Sequence, residues 1–461
     1  MCCAAAGPAK YTITFENPAK AMLRVKAALP CDGPELVMDR TRPGDVADLG
    51  KNGWPAVIKE LRVTDERGSH LDTVAAGPAG WTLAKPCSGQ LDLDYTVDLA
   101  RIAAANWPAP REAGFADATH FVFVGRSAFI ETKGVTDATV AFQLPRGWNA
   151  VVPWQTAPNG SYSTTASVDL TENLIVLTND RPDIVKAGGL TVAVTSIGKW
   201  QKMRPEIAHM IRSVIPEYIS MFPKSEGRYS VVLLPMLDQG GEAYRASFAF
   251  TYESEPSAEN LWDWGHTIAH EIFHRWNGYK LAGAEYASTQ WFQEGFTDYM
   301  ANLAMTRSGI LDESRSLARL NIELERYSKL ATPLAHPGTH KGPPLYGGGA
   351  LTALCWDILI RDATDGKKTI RDLWPALWRR TDGGKRPYAW ADVKAAVEEL
   401  ASYDWDSFYL KYLDGTDRLP LEAILPLAGL RLDETGKAIK PDQRASGKAL
   451  RVRKALFSRE R

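Results

Sequence analysis

His270 and His274 stand four positions apart, with Glu271 beside the first, and Glu294 follows twenty residues after the second within Trp291-Phe292-Gln293-Glu294-Gly295. On a helix, positions i and i+4 lie one turn apart on one face, so the two imidazoles can grip a single small metal ion, usually zinc. Glu294 supplies the third ligand of a His-His-Glu zinc set, which leaves a fourth position open for water or substrate. Glu271 then has a different task. A divalent metal lowers the pKa of a water it holds from about 16 to roughly 7, and a carboxylate on the same turn can complete the deprotonation. The chemistry implied is metal-assisted hydrolysis of a carbonyl compound, with a peptide bond foremost.

The surroundings of these residues separate the motif from a chance match. Ile268, Ala269, Ile272 and Phe273 make the histidine segment apolar, so its helix is expected to be buried, where polar groups must find partners. Trp291, Phe292, Phe296, Tyr299 and Met300 do the same for Glu294. Asp298, at i+4 from Glu294, has two readings: a carboxylate that receives the other ring N–H of a ligating histidine, or an exposed aspartate.

The string from His270 through Asn277, with Trp291-Phe292-Gln293-Glu294-Gly295-Phe296-Thr297, resembles the gluzincin metallopeptidases. Within them it resembles the glycyl aminopeptidase family more than the membrane-alanyl aminopeptidase family, chiefly through His274-Arg275-Trp276-Asn277. Tyr346-Gly347-Gly348-Gly349-Ala350-Leu351 resembles the family's Tyr-x-Lys-Gly-Ala-Leu segment. Phe408 to Thr416, followed by Leu419-Pro420-Leu421, resembles the region that closes its helical domain. The likeness runs from about Trp200 to Leu430. It implies a thermolysin-like catalytic domain, one Zn2+ per chain, and an aminopeptidase acting on peptides with small N-terminal residues such as glycine or alanine. It further implies that Tyr346 donates a hydrogen bond to the reaction's oxyanion. Gly240, Gly241 and Glu242 then form the Gly-rich edge segment along the substrate, with Glu242 facing the α-ammonium.

The chain departs from the family pattern in several places. Gly348 stands where the family has Lys, and Gly241 and Glu242 are adjacent where the family has a residue between them. The spacer between His274 and Glu294 is shorter than usual, and only about thirty residues follow Leu430, too few for the PDZ domain that members commonly carry. His336 and His340 offer a second electrophile or are solvated loop histidines. Two alternatives stand beside the aminopeptidase: a zinc endopeptidase with the same ligands, and a catalytically silent peptide-binding relative.

Composition narrows the remaining classes. The 461 residues carry a net charge of −1 with no basic stripe, which argues against nucleic acid as a partner. No apolar run approaches the ~20 residues of a transmembrane span. The expected fold is multidomain α+β. Residues 1–198 read as an antiparallel β domain: Leu91 to Leu99 alternates, as do Leu23, Val25, Ala27 and Leu29, with turns expected at Asp32-Gly33-Pro34 and Pro158-Asn159-Gly160. Residues 199–312 read as the thermolysin-like zinc domain, in which Met203, Ile207, Ile211, Val214, Tyr218 and Phe222 mark a helix face ahead of strands near Val231 and Phe248. Residues 313–430 read as a helical domain and 431–461 as a charged, loosely attached tail.

The five cysteines, at positions 2, 3, 31, 87 and 355, lack zinc-cluster spacing. Cys31 and Cys87 would bridge if the protein is exported, whereas Cys355 reads as a core thiol. The first residues lack the apolar stretch of a signal peptide and fit what remains once one is removed. Localisation stays open between exported or periplasmic and cytoplasmic.

Overall fold

The computed structural model describes residues 8–17, 20–40, 49–104, 114–223, 226–236, 240–338 and 342–458. It is a mixed α+β chain with a β-rich N-terminal domain, a central catalytic region and a helical C-terminal region.

The alternating runs form the two longest strands, Met22–Val37 and Gly80–Asp98, paired antiparallel. Leu23 faces Val97, Val25 faces Tyr95, Ala27 faces Leu93 and Leu29 faces Leu91, and all eight are buried. A one-residue slip would turn the whole set outward, so this apolar pattern holds the register. Asp32-Gly33-Pro34 does not end the first strand. The register shifts between Gly33 and Glu35, with Gly33 at φ 126°, so a bulge stands where a turn was expected. Bulges and turns call for the same residue types, and only the partner strand distinguishes them.

Among the described residues these strands lie in a nine-stranded sheet, and a four-stranded sheet that includes His120–Val124 and Leu174–Thr178 shares its core. Phe15 stacks on Phe121 there with ring centroids 5.2 Å apart. Cys31 and Cys87 form a disulfide between the paired long strands, with Cα atoms 5.9 Å apart.

A third sheet has the spatial order Asp183–Ala187, Leu190–Ser196, Gly227–Leu233, Ser247–Thr251, Gly240–Ala243. The three middle strands run parallel and are largely buried on both faces, so they show no alternation. The last strand is antiparallel to its neighbour and forms an edge. The boundary placed at 198 therefore cuts this sheet. Alternation identifies a strand but not its partner.

The chain divides into two compact units. The first comprises Met1–Lys186, Leu190–Arg204 and Gly227–Glu255; the second comprises Ala187–Gly189, Pro205–Glu226 and Pro256–Arg461. Block 199–312 is thus shared, its strands going to the first unit and nearly all its helical residues to the second.

In the second unit, α1 (Arg204–Ile219) buries Ile207, Met210, Ile211, Val214, Ile215 and Tyr218. The Tyr218 hydroxyl donates to the Ala269 carbonyl of α2 (Leu261–Phe273) at 3.0 Å. Then come α3 (Phe296–Arg307), α4 (Glu313–Ser328) and α5 (Pro343–Ala363), the last holding Cys355 in its buried interior.

Residues 431–458 are not a loose tail. Leu430–Leu432 pairs with Ile439–Pro441, and α6 (Gly447–Phe457) buries Val452 and Leu456. The Ile439 amide donates to Asn321 Oδ1 of α4 at 2.7 Å, and Arg453 Nε lies 2.8 Å from Glu313 Oε1. The many basic residues of this segment mask an i, i+4 apolar pair. Among the described residues no helix is long and apolar enough to cross a membrane.

Candidate metal centre

His270 lies in the last turn of α2, and His274 follows as its C-terminal cap. Residues Ile268 to Phe273 are all buried. Glu294 enters from a π-helical turn, Trp291–Gly295, between the short helix Tyr286–Gln290 and α3. Such turns loosen the regular ladder and are frequent at functional sites. Here Asn277 accommodates the loosening. Its side-chain amide donates to the carbonyls of Phe292 (3.1 Å) and Gln293 (3.0 Å) and to Thr297 Oγ1 (3.0 Å).

The Asn277 main-chain oxygen accepts from His274 Nδ1 at 2.9 Å, so one residue braces two of the candidate ligands. His270 Nδ1 lies 2.9 Å from Asp298 Oδ1. Each ring thus spends its Nδ1 proton on an outer acceptor, which turns an unprotonated Nε2 inward.

The inward atoms form a triangle. The two Nε2 atoms are 2.9 Å apart, and Glu294 Oε2 is 3.4 Å from that of His270 and 3.2 Å from that of His274. Three acceptor atoms this close, buried together, require a cation. Tetrahedral zinc with ligands at roughly 2.0–2.1 Å sets ligand atoms about 3.3 Å from one another, so these residues fit zinc. Burial opposes ionisation of Glu294, but positive charge placed at His274 and His270 outweighs it and holds the carboxyl well below its usual range, which is the compensation a bound cation would give to neutral rings.

Behind the triangle lies a polar circuit, buried except at Arg326, which is partly exposed. Asp298 Oδ2 meets Arg326 Nη1 at 3.4 Å, and Arg326 bonds Glu323 at 2.9 Å. Glu323 lies 3.6 Å from Arg319, which is 3.1 Å from His266 Nδ1; His266 Nε2 returns to the Asp298 carbonyl at 3.1 Å. Asp298 is therefore buried and partnered, not exposed. Removing a buried charged member such as Arg319 leaves its partners uncompensated, at about 3–5 kcal/mol. Sequence reasoning missed this set, although His266 stands four residues before His270, and Arg319, Glu323 and Arg326 share a face of α4.

Glu271 is buried beside the ligands, and that burial pushes its carboxyl up, opposed by positive charge at His270 and His274. The Tyr346 ring lies parallel to that of His270 with centroids 6.1 Å apart. Burial and then the Glu294 charge raise its phenol well above the usual range, so it remains a donor. Tyr286, absent from the sequence reading, donates to Glu294 Oε1 at 2.9 Å.

Gly240, Gly241 and Glu242 belong to the other unit, on the edge strand Gly240–Ala243, with Glu242 opposite Ala249. A Cβ at Gly348, the family's Lys position, would meet Leu334 Cδ2 at 2.5 Å, so Leu334 occupies that space. His336 is exposed and lies 2.6 Å from Asp414, as a solvated pair; His340 lies outside the described residues.

A buried His-His-Glu triangle with a carboxylate on the same turn defines a zinc metallohydrolase site. The chain belongs to the M61 glycyl aminopeptidase family: the family's N-terminal domain model matches residues 10–173 and its M61 glycyl aminopeptidase model residues 264–337, together a little over half the chain. It is a hydrolytic zinc metallopeptidase.

Among solved structures, an aminopeptidase N family protein from Idiomarina loihiensis is similar at 19% identity with a TM-score of 0.75, covering 92% of this chain and 78% of that one. An M1 zinc metallopeptidase from Deinococcus radiodurans is similar at 17% identity with a TM-score of 0.54, covering 90% of this chain and 95% of that one. A mutant of the Deinococcus enzyme bound to a Tyr-Ser-Ala substrate is similar at 18% identity and 0.52, with the same coverage. These likenesses are of fold. No curated protein sequence matches the chain.

Proposed function

We propose that this protein is an aminopeptidase that binds one zinc per chain and removes N-terminal residues from peptides, favouring small ones such as Gly or Ala. The observation that carries the reading is the triangle of His270, His274 and Glu294 with Glu271 on the same helical turn. Zinc, when bound, supplies Lewis-acid polarisation of the scissile carbonyl and a readily deprotonated water.

The remaining steps fall to the chain's own residues. Glu271 takes the proton of the attacking water and returns it to the departing amine, a shuttle suited to a carboxyl whose proton affinity burial has raised. Tyr346, kept protonated, donates to the oxyanion that develops as the carbonyl becomes tetrahedral. Asp298 orients His270 through the Nδ1 hydrogen bond. Glu242 pairs with the substrate ammonium, and Gly240 and Gly241 offer edge-strand backbone groups to an extended peptide. The peptide complex of the Deinococcus enzyme supports a peptide as the class of substrate. The Cys31–Cys87 disulfide supports an exported protein, since such bonds persist in oxidising compartments.

The test is a panel of aminoacyl fluorogenic substrates, free and N-acetylated, with and without a chelator. Chelator-sensitive cleavage of free glycyl and alanyl substrates, with blocked ones spared, is expected. Equal cleavage of blocked peptides would indicate a zinc endopeptidase instead.

A further inference from the structure

Glu294 presents its two carboxylate oxygens to different partners. Oε2 faces both Nε2 atoms, at 3.2 and 3.4 Å, whereas Oε1 accepts the Tyr286 hydroxyl at 2.9 Å. The phenol oxygen is itself held, because Gln290 Nε2 donates to it at 3.3 Å from one helical turn further on. Tyr286, Gln290 and Glu294 therefore follow one another at i, i+4 and i+8 along the segment that runs into the π turn.

A carboxylate can bind a metal through one oxygen or both, and the second mode would fill the position that a catalytic zinc must keep open. We propose that Tyr286 is a positioning residue that holds Glu294 as a one-oxygen ligand and so preserves the open site. The phenol engages Oε1 in a hydrogen bond to a charged acceptor, the stronger kind, and a carboxylate so anchored cannot rotate both oxygens toward the histidines. This role rests on the proposed metal site and adds a residue that the ligand motif does not contain. Tyr286 as a residue is 49% exposed, so its replacement by Phe removes the hydroxyl with little cost to packing.

The test uses the full chain loaded with Co2+, whose visible absorption is intense in four-coordinate and weaker in five-coordinate sites, because geometry is diagnostic for these ions. Three measurements are compared between wild type and Tyr286→Phe: the cobalt spectrum, zinc affinity by chelator competition, and the melting temperature of the metal-free protein. The proposal expects the variant to lose visible intensity and to bind zinc roughly 10–100-fold more weakly, the usual size for a lost partner of a metal ligand. It also expects the metal-free melting temperature to stay put.

An unchanged spectrum and affinity would overturn the role of Tyr286. So would a fall in metal-free stability alone, which would make Tyr286 a brace for its helix. Should Tyr286→Phe fail to fold, Gln290→Met removes the N–H that fixes the phenol; a smaller loss in the same direction supports the proposal, and none overturns it. Wild-type protein that takes up no cobalt would overturn the metal site itself, which distinguishes that failure from one confined to Tyr286.

Discussion

Replacing Gly349 by alanine should damage the metal site from a distance. A Cβ at 349 would lie 1.8 Å from the Trp291 carbonyl oxygen, where ordinary contacts begin near 3.4 Å. The obstacle is backbone, so relief requires α5 and the π turn to separate by roughly 1.5 Å. Gly295 closes the same contact from the other side, its own Cβ position being 2.4 Å from Gly349 Cα. Overpacking of this kind costs about 1–3 kcal/mol, and a backbone clash belongs at the upper end. At about 2–4 °C per kcal/mol for a unit of this size, the melting temperature should fall by roughly 6–12 °C.

Glu294 and Tyr346 would move apart with those segments, and a shift near 1.5 Å is almost half of a triangle edge of 3.2 Å. Zinc affinity and turnover should drop together. Gly348→Ala is the milder comparison, because the three atoms nearest its Cβ position belong to the Leu334 side chain and none to backbone. Differential scanning fluorimetry with and without zinc, alongside glycyl-substrate turnover, reads both effects. Wild-type melting and zinc content in Gly349→Ala, or equal damage from Gly348→Ala, would refute the packing argument.

Other substitutions separate the chemical roles. Glu271→Ala should retain zinc yet lose at least about a hundredfold in kcat, and near-wild-type turnover of a zinc-replete variant would remove Glu271 from the mechanism. Glu242→Gln should lower kcat/KM for free-amine substrates by roughly 1.5–3 kcal/mol and barely affect blocked ones; equal losses on both would make Glu242 structural. Tyr346→Phe should reduce kcat for every substrate, by up to about 10²–10³-fold, and an effect confined to KM would contradict an oxyanion role. A chelator should lower the melting temperature and added zinc restore it, the stabilisation reaching about 4 kcal/mol when free metal is a thousand times its Kd.

What could be read from the chain alone follows the range of the interactions. His270 and His274 share a helical turn, and Asp298 stands at i+4 from Glu294, so local spacing was enough to propose them together. The strands around Val25 and Leu93 were legible for the same reason, since alternation is local. The π turn was not, because Asn277 and the packing of Gly295 on Gly349 decide it. Nor was the circuit of His266, Arg319, Glu323 and Arg326, which exists only once α4 lies against the histidine helix. Leu190–Ser196 joins the third sheet through its pairing with Gly227–Leu233, a choice that no pattern within the strand announces. The segment beyond Leu430 was misread because its charge count concealed Val452 and Leu456.

Everything proposed for this site depends on His270, His274 and Glu294 holding one zinc. Anomalous diffraction from crystals of the wild-type protein, recorded on both sides of the zinc absorption edge, tests it directly. One strong peak is expected roughly 2.0–2.2 Å from His270 Nε2, His274 Nε2 and Glu294 Oε2, with Glu271 outside the coordination sphere. Crystals grown with zinc that show no peak at the triangle, or one ligated by Glu271 in place of Glu294, would contradict it.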